Sequence, residues 1–213
     1  MLDGDLRDAL RTRLQAEHGA SSRSTLIVDE LGLCGTARVD VAVVDTALTG
    51  YELKSERDKL DRLPNQVATY GRVLDYAYLV VARKHLAAAR QILPQWWGIL
   101  VAHAEDDSVV LAHQRKARRN TQVDAHAVAQ LLWRSEALDL LTRYQLDFGH
   151  RGKPRHALWE QLATRLELDT LKVEVRQTLK VRRGWRENPG QRGYGATLQP
   201  SSRSQHFLAR RLR

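Results

Sequence analysis

The sequence predicts an α/β (α+β) fold in which a central mixed β-sheet is flanked by helices and followed by a helical C-terminal extension. Three observations predict it. Short runs rich in β-branched residues lie between residues 25 and 111. Helical periodicity brackets them, over residues 4–17 and again from residue 124. The chain has 213 residues, 43% of them apolar, which is enough to bury a sizeable core.

Leu6, Leu10 and Leu14 recur at four-residue spacing with charges between them, the signature of an amphipathic helix over 4–17. Thr25–Val28 and Arg38–Val44 read as strands. Asp45–Gly50 reads as a hairpin loop and Gly50–Lys54 as the returning strand. Val67, Tyr70, Gly71 and Leu74 line one face of a further helix, with Pro64 in its first turn, where proline is tolerated. Tyr76–Val81 is nearly continuous in apolar residues, as a buried strand should be. The Ala-rich stretch His85–Leu93 is helical, and Trp97–Val101 and Ser108–Leu111 form a second strand pair. The rows Leu158, Leu162, Leu166 and Leu171, Val175, Leu179 give two C-terminal helices. Periodicity is lost after Gly184, so flexibility is expected there. The chain thus divides into a core over 1–122, a helical extension over 123–183 and a basic segment over 184–213.

Composition excludes several classes. Cys34 is the single cysteine, which removes an internal disulfide and a cysteine-based zinc site. The eight histidines show no zinc-ligand spacing and read as structural. No apolar run is long enough to span a bilayer, and Met1–Asp5 is acidic with no apolar stretch behind it, unlike a secretion signal. A cytoplasmic protein without a membrane partner is expected. The formal charge is +9, and residues 180–213 hold nine basic residues against the single acid Glu187. That asymmetry points to a polyanion, although a solubilising segment has the same composition. Arginine outnumbers lysine 27 to 7, as a GC-rich genome also produces.

The stretch that carries chemistry is Val39-Asp40-Val41, followed after ten intervening residues by Glu52-Leu53-Lys54. Side chains alternate along a strand, so Glu52 and Lys54 share one side and Leu53 takes the other. Pairing through the hairpin brings Asp40 beside Glu52. Two carboxylates suit Mg²⁺, a hard ion that keeps several of its waters. A lysine beside them can stabilise a developing anion. The plainer alternative is a surface salt-bridge cluster.

These residues resemble the PD-(D/E)XK nuclease superfamily. Gly50–Asp58, Leu60–Gln66 with Tyr70, Tyr78–Val81, Pro94–Ile99 and the helices of Leu158–Arg186 look like one group of small, uncharacterised bacterial members. The resemblance implies a restriction-endonuclease-like core over 1–122. It implies a metal-dependent DNA endonuclease of bacterial or phage origin, serving repair, restriction or defence, with Mg²⁺ (or Mn²⁺ in its place) on Asp40 and Glu52 and with Lys54 at the attacking water. DNA is the expected partner, with RNA and a homodimer left open. Val39 stands where the superfamily has proline, a position without a chemical role. Glu30 is the candidate third metal ligand and Glu17 its rival. Gln66 and Tyr70, four apart on one helix face, resemble a pair that holds substrate and the catalytic strand in the exonuclease-like branch.

DNA contacts are expected from Arg57 and Arg62, with Lys59 beside them. A second set is Lys172, Arg176, Lys180 and Arg183, read as a basic stripe opposite Leu171, Val175 and Leu179. Arg115, Lys116, Arg118 and Arg119 form another basic cluster, and Trp96 and Trp97 read as packing residues. The alternative function is a non-catalytic DNA-binding protein with a nuclease-like fold, or a helix-turn-helix regulator built from the two C-terminal helices. Two acids facing a polyanion would repel it, which favours catalysis.

Deleting residues 184–213 removes six arginines but none of the proposed chemistry. The expected result is a folded protein with lower DNA affinity. The slope of log affinity against log salt should shift by about 0.9 for each phosphate that the shortened protein leaves unneutralised. Identical slopes for the two proteins would show that this segment does not touch DNA.

Overall fold

The computed structural model describes residues 1–19, 24–106 and 108–183. The basic segment 184–213 lies outside the described residues. A six-stranded mixed sheet runs in the order β1-β2-β3-β4-β5-β6. Its strands are β1 Leu26–Leu33, β2 Ala37–Val44, β3 Leu48–Lys54, β4 Tyr76–Ala82, β5 Gly98–Glu105 and β6 Ser108–Arg115. β1, β2 and β3 pair antiparallel, β3, β4 and β5 pair parallel, and β6 returns antiparallel. The parallel connections need crossovers, and two helices supply them: α2 Leu63–Gly71 and α3 Leu86–Ile92. The fold class is therefore α+β, with a mixed sheet flanked by helices and a C-terminal helical region.

Two apolar clusters cover the two sheet faces. On one face, Leu6, Leu10 and Leu14 of α1 (Asp3–His18) are fully buried against Val41, Val43, Tyr51 and Leu53. Burying three leucines contributes very roughly 2 kcal/mol each. On the other face, α2 and α3 join α4 Ala125–Ala129, α5 Arg134–Arg143, α6 Arg155–Arg165 and α7 Leu168–Val181 in one continuous core. The C-terminal helices share that core with Val39, Ala42, Leu79 and Ile99 of the sheet. No described helix is long and apolar enough to cross a membrane.

Two local features set the geometry of the sheet. Gly98 pairs with Tyr78 across β4 and β5, and a Cβ there would overlap the Tyr78 ring. The glycine lets that ring lie over the backbone and stack on Tyr51, with centroids 5.2 Å apart. The second feature is a matched break in β1 and β2. Asp29 pairs with Val41 and Leu31 with Val39, but Glu30 and Asp40 between them do not pair. Val39 packs toward the helical layer while Val41 packs toward α1, so the alternation of faces breaks at Asp40. Glu30 opposite has φ +58°, a left-handed conformation uncommon for a residue with a side chain.

Candidate active site

Glu52 is the centre of the site. It lies on β3, at the C-terminal end of the parallel part of the sheet, and is 1% exposed. A carboxylate so deeply buried must be compensated by donors. Three side chains provide them. Lys54 Nζ lies 2.5 Å from Oε1, Gln66 Nε2 donates to Oε1 at 2.6 Å, and the Tyr70 hydroxyl lies 2.5 Å from Oε2. The strand pleat places Lys54 on the same side as Glu52, and the four-residue spacing on α2 brings Gln66 and Tyr70 to it together. The Tyr70 hydroxyl is also 2.8 Å from the Arg38 carbonyl oxygen, so its one proton serves two acceptors. Burial and the neighbouring Glu52 carboxylate push the Tyr70 phenol far above its usual range, so it stays a donor. Trp97, fully buried, stacks on Tyr70 with centroids 5.5 Å apart and fixes the ring.

Asp40 meets Glu52 from β2. Regular β2–β3 pairing ends at Val41 and Tyr51, and one step beyond it the Asp40 side chain accepts the Leu53 N–H at 2.8 Å through Oδ2. Its carbonyl, which lacks Glu30 as a strand partner, accepts from Arg7 Nη1 of α1 at 3.2 Å. Burial, and then the Glu52 charge, raise the Asp40 carboxyl to about 7; the Leu53 N–H, Lys54 and Arg7 pull the other way. Like charges forced together in a dry site shift in this direction.

That shift has a consequence for stability. A carboxyl raised in the folded state binds its proton more tightly than the unfolded chain does. Its contribution is therefore complete below the ordinary aspartate value, about 3.9, and is lost as pH climbs through about 7. Asp40→Asn stays neutral and can still accept the Leu53 N–H. In EDTA, the melting temperature of the variant minus that of the wild type should rise between pH 5 and pH 8. A difference that is constant across that range would contradict the placement of Asp40 beside Glu52.

A cation is the other way to relieve two adjacent carboxylates, and the donor set fits Mg²⁺. Ionised carboxylates offer about four acceptor positions each. Glu52 has three filled, which leaves one on Oε2. Asp40 has one filled, and its Oδ1 has no donor among the described residues. Two single-oxygen ligands with water completing the shell is a usual arrangement for this ion. Glu30 does not join them. Its side chain pairs with Arg38 Nη1 at 3.3 Å, and no group of three or more His, Cys, Asp or Glu able to hold a metal occurs among the described residues. Glu17, on α1, pairs with Arg13 at 2.8 Å.

The basic residues separate into two places. Arg57 and Arg62 are exposed, on the turn after Lys54 and at the start of α2, close to the site. The turn is held by Asp58, which accepts from the Ser55 N–H at 2.7 Å. Lys172 and Arg176 lie elsewhere. Lys172 is 6% exposed and paired with Asp75, and Arg176 Nη1 is 3.5 Å from the same carboxylate, at the opposite end of β3 and β4. They do not form an exposed stripe opposite the apolar row. The physical reason is simple: successive helical residues are turned by about 100°, so 172, 176 and 180 flank 171, 175 and 179. Lys180 is half-buried and Arg183 exposed. A helix-turn-helix reader would need this face free, whereas the first turns of α7 press it against the end of the sheet.

Two residues at these sites are missed by the sequence pattern, Arg7 with no signal and Asp75 with a weak one. Arg7 faces Asp40 only because α1 crosses β2, and no spacing along the chain announces that. Asp75 stands between Leu74 and a buried strand, and an acid so framed by apolar residues is the one hint that it is buried.

Comparison with known proteins places the chain in a family. It is 26% identical over 164 residues to Protein cII of Enterobacteria phage P4, an overlap that takes in 77% of this chain and 61% of the phage protein. The chain thus spans less than two thirds of the length of that relative. A solved structure, the SPO1766 protein of unknown function from Silicibacter pomeroyi, is 20% identical and aligns over 63% of this chain and 86% of its own, with a TM-score of 0.37. The family described as Bacteriophage P4 protein cII matches residues 5–188, and the chain belongs to that family.

Proposed function

We infer that the protein is a Mg²⁺-dependent DNA endonuclease with a restriction-endonuclease-like core. The observation that carries this reading is the buried Glu52 carboxylate, ringed by Lys54, Gln66 and Tyr70 and adjoined by Asp40. A salt bridge kept only for stability needs one acid and one base. Here a second acid is drawn against the first, at a cost in repulsion that only a cation or a proton relieves.

Each side chain has a role in phosphodiester hydrolysis. Asp40 and Glu52 would hold the ion through Oδ1 and Oε2. Bound there, Mg²⁺ would lower the pKa of a water and offset charge on the phosphate. Lys54, 2.5 Å from Glu52 Oε1, orients the attacking water and carries positive charge to the phosphate oxygens. Gln66 and Tyr70 hold the Glu52 carboxylate in one rotamer, so it does not have to reorganise during the reaction. Arg57 and Arg62, exposed around the site, supply contacts to the DNA backbone.

The experiment is direct. Plasmid, linear duplex, single-stranded DNA and RNA are each incubated with the protein in Mg²⁺, Mn²⁺ or EDTA, beside the Glu52→Gln variant. The expected result is cleavage of DNA by the wild type, stopped by EDTA and absent in the variant. No cleavage of any substrate, with unaltered DNA binding, would favour a non-catalytic DNA-binding protein instead.

A further inference from the structure

At the other end of the sheet from Glu52, the turn after β2, the start of β4 and the face of α7 enclose a cavity of about 350 Å³. Its size is within the range of small-ligand sites, roughly 300–1,000 Å³. Three cations line it, Lys172, Arg176 and Arg119, against two carboxylates, Asp75 and Asp169. The wall therefore carries one uncompensated positive charge.

Of the two inner cations, Lys172 is closely paired and Arg176 is not. Asp75 is already engaged: it accepts the Leu48 N–H at 2.8 Å through Oδ2 and pairs with Lys172 through Oδ1. Arg176 reaches it only at 3.5 Å, the outer limit of a hydrogen bond. The Arg176 side chain is 14% exposed, yet its guanidinium has no better acceptor among the described residues. Its planar fork of five N–H donors lines the cavity, and most of them are left for whatever occupies it, which suits an anion with several oxygens. At the mouth, Arg119 is loosely paired with Asp169 at 3.6 Å, and both are exposed. Tyr76 and Val173 add a surface on which the organic part of a ligand can rest.

We propose that this cavity binds a small phosphate ester of about mononucleotide size, with its phosphate between Lys172 and Arg176 and Arg119 closing over it. A phosphate offers several oxygens to cations in three separate places, and guanidinium and ammonium both recognise it well. The site is independent of the cleavage reading, since none of its residues touches Glu52.

Calorimetry on the full chain tests it, with inorganic phosphate, a deoxynucleoside 5′-monophosphate and the matching nucleoside as probes. The monophosphate should bind saturably, free phosphate more weakly, and the nucleoside not at all. Arg176→Gln should weaken monophosphate binding at least tenfold while melting near the wild type, because Lys172 and the Leu48 N–H still satisfy Asp75. Glu52→Gln should bind like the wild type, whatever it does to cleavage. Equal heats for the nucleotide and the nucleoside would overturn the proposal, as would unchanged affinity in Arg176→Gln. A tetranucleotide with and without a 5′-phosphate separates the sources: binding confined to the phosphorylated oligonucleotide would assign the cavity to a nucleic-acid end and overturn the small-molecule assignment.

Discussion

Lys54→Ala is expected to lower metal-dependent DNA cleavage by roughly a hundredfold to a thousandfold, the size of effect seen when one pre-aligned donor to a developing oxyanion is removed. The Lys54 side chain is only 11% exposed and its ammonium sits 2.5 Å from Glu52 Oε1, so its charge is weakly screened. The same burial means that its loss is felt by the fold. Glu52, 1% exposed, would retain Gln66 and Tyr70 as donors but no positive partner. Without metal the variant should therefore melt below the wild type while remaining folded, and added Mg²⁺ should recover part of the difference. Lys54→Gln separates the two effects: it keeps a donor to Glu52 and so most of the stability, yet lacks the charge and should be nearly as inactive. Binding of DNA should persist in both variants, since Arg57 and Arg62 are untouched. Turnover within a few-fold of the wild type in either variant would remove Lys54 from the reaction.

The constellation around Glu52 is legible in the sequence because two short-range rules suffice for it. Strand alternation puts Glu52 and Lys54 on one side, and helical spacing puts Gln66 and Tyr70 on another, with the hairpin fixing Asp40 opposite. The strands and helices follow from the same periodicities, and most differ from expectation only at their ends. β3 starts at Leu48 because the Asp45 carboxylate takes the Ala47 N–H at 2.8 Å and closes the turn early. β1 runs on through Asp29 and Glu30 to Leu33, although two adjacent acids resemble the end of a strand. Arg7 and Arg11 of α1 hold Asp29, and Arg38 holds Glu30, so those charges are answered by residues distant along the chain or across the hairpin. The third-ligand expectation for Glu30 meets an ion pair instead: although Glu30 lies across from Asp40, its backbone is left-handed, its carboxylate pairs with Arg38, and no group of three acids able to hold a metal occurs among the described residues. Lys172 is misplaced when neighbouring helix positions are treated as opposite ones, and its partner Asp75 is nearly a hundred residues away.

Asp75 should be among the most sensitive polar positions in the fold. It is 4% exposed and ties four segments together. Its N–H donates to the Leu48 carbonyl at 2.9 Å, its carbonyl accepts the Asn120 N–H at 2.8 Å, its carboxylate accepts the Leu48 N–H, and Lys172 binds it from α7. Asp75→Asn keeps the shape and an acceptor for Leu48 but removes the charge, which leaves Lys172 buried without a counter-ion. Breaking a buried pair from one side typically costs about 3–5 kcal/mol. The cavity beside Lys172 lets water reach the ammonium, so a value near the low end, roughly 3 kcal/mol, is expected from urea melts. Asp75→Asn combined with Lys172→Met should recover most of that loss, because the double variant buries no lone charge, and the interaction energy from the four-protein cycle should be large. Arg176→Gln alone should cost much less, since the 3.5 Å contact is peripheral and Asp75 keeps its other partners. A loss below about 1 kcal/mol in Asp75→Asn would mean that the pair is fully hydrated and that α7 is held to the sheet by Leu171, Val175 and Leu179 alone. An additive double variant would lead to the same conclusion.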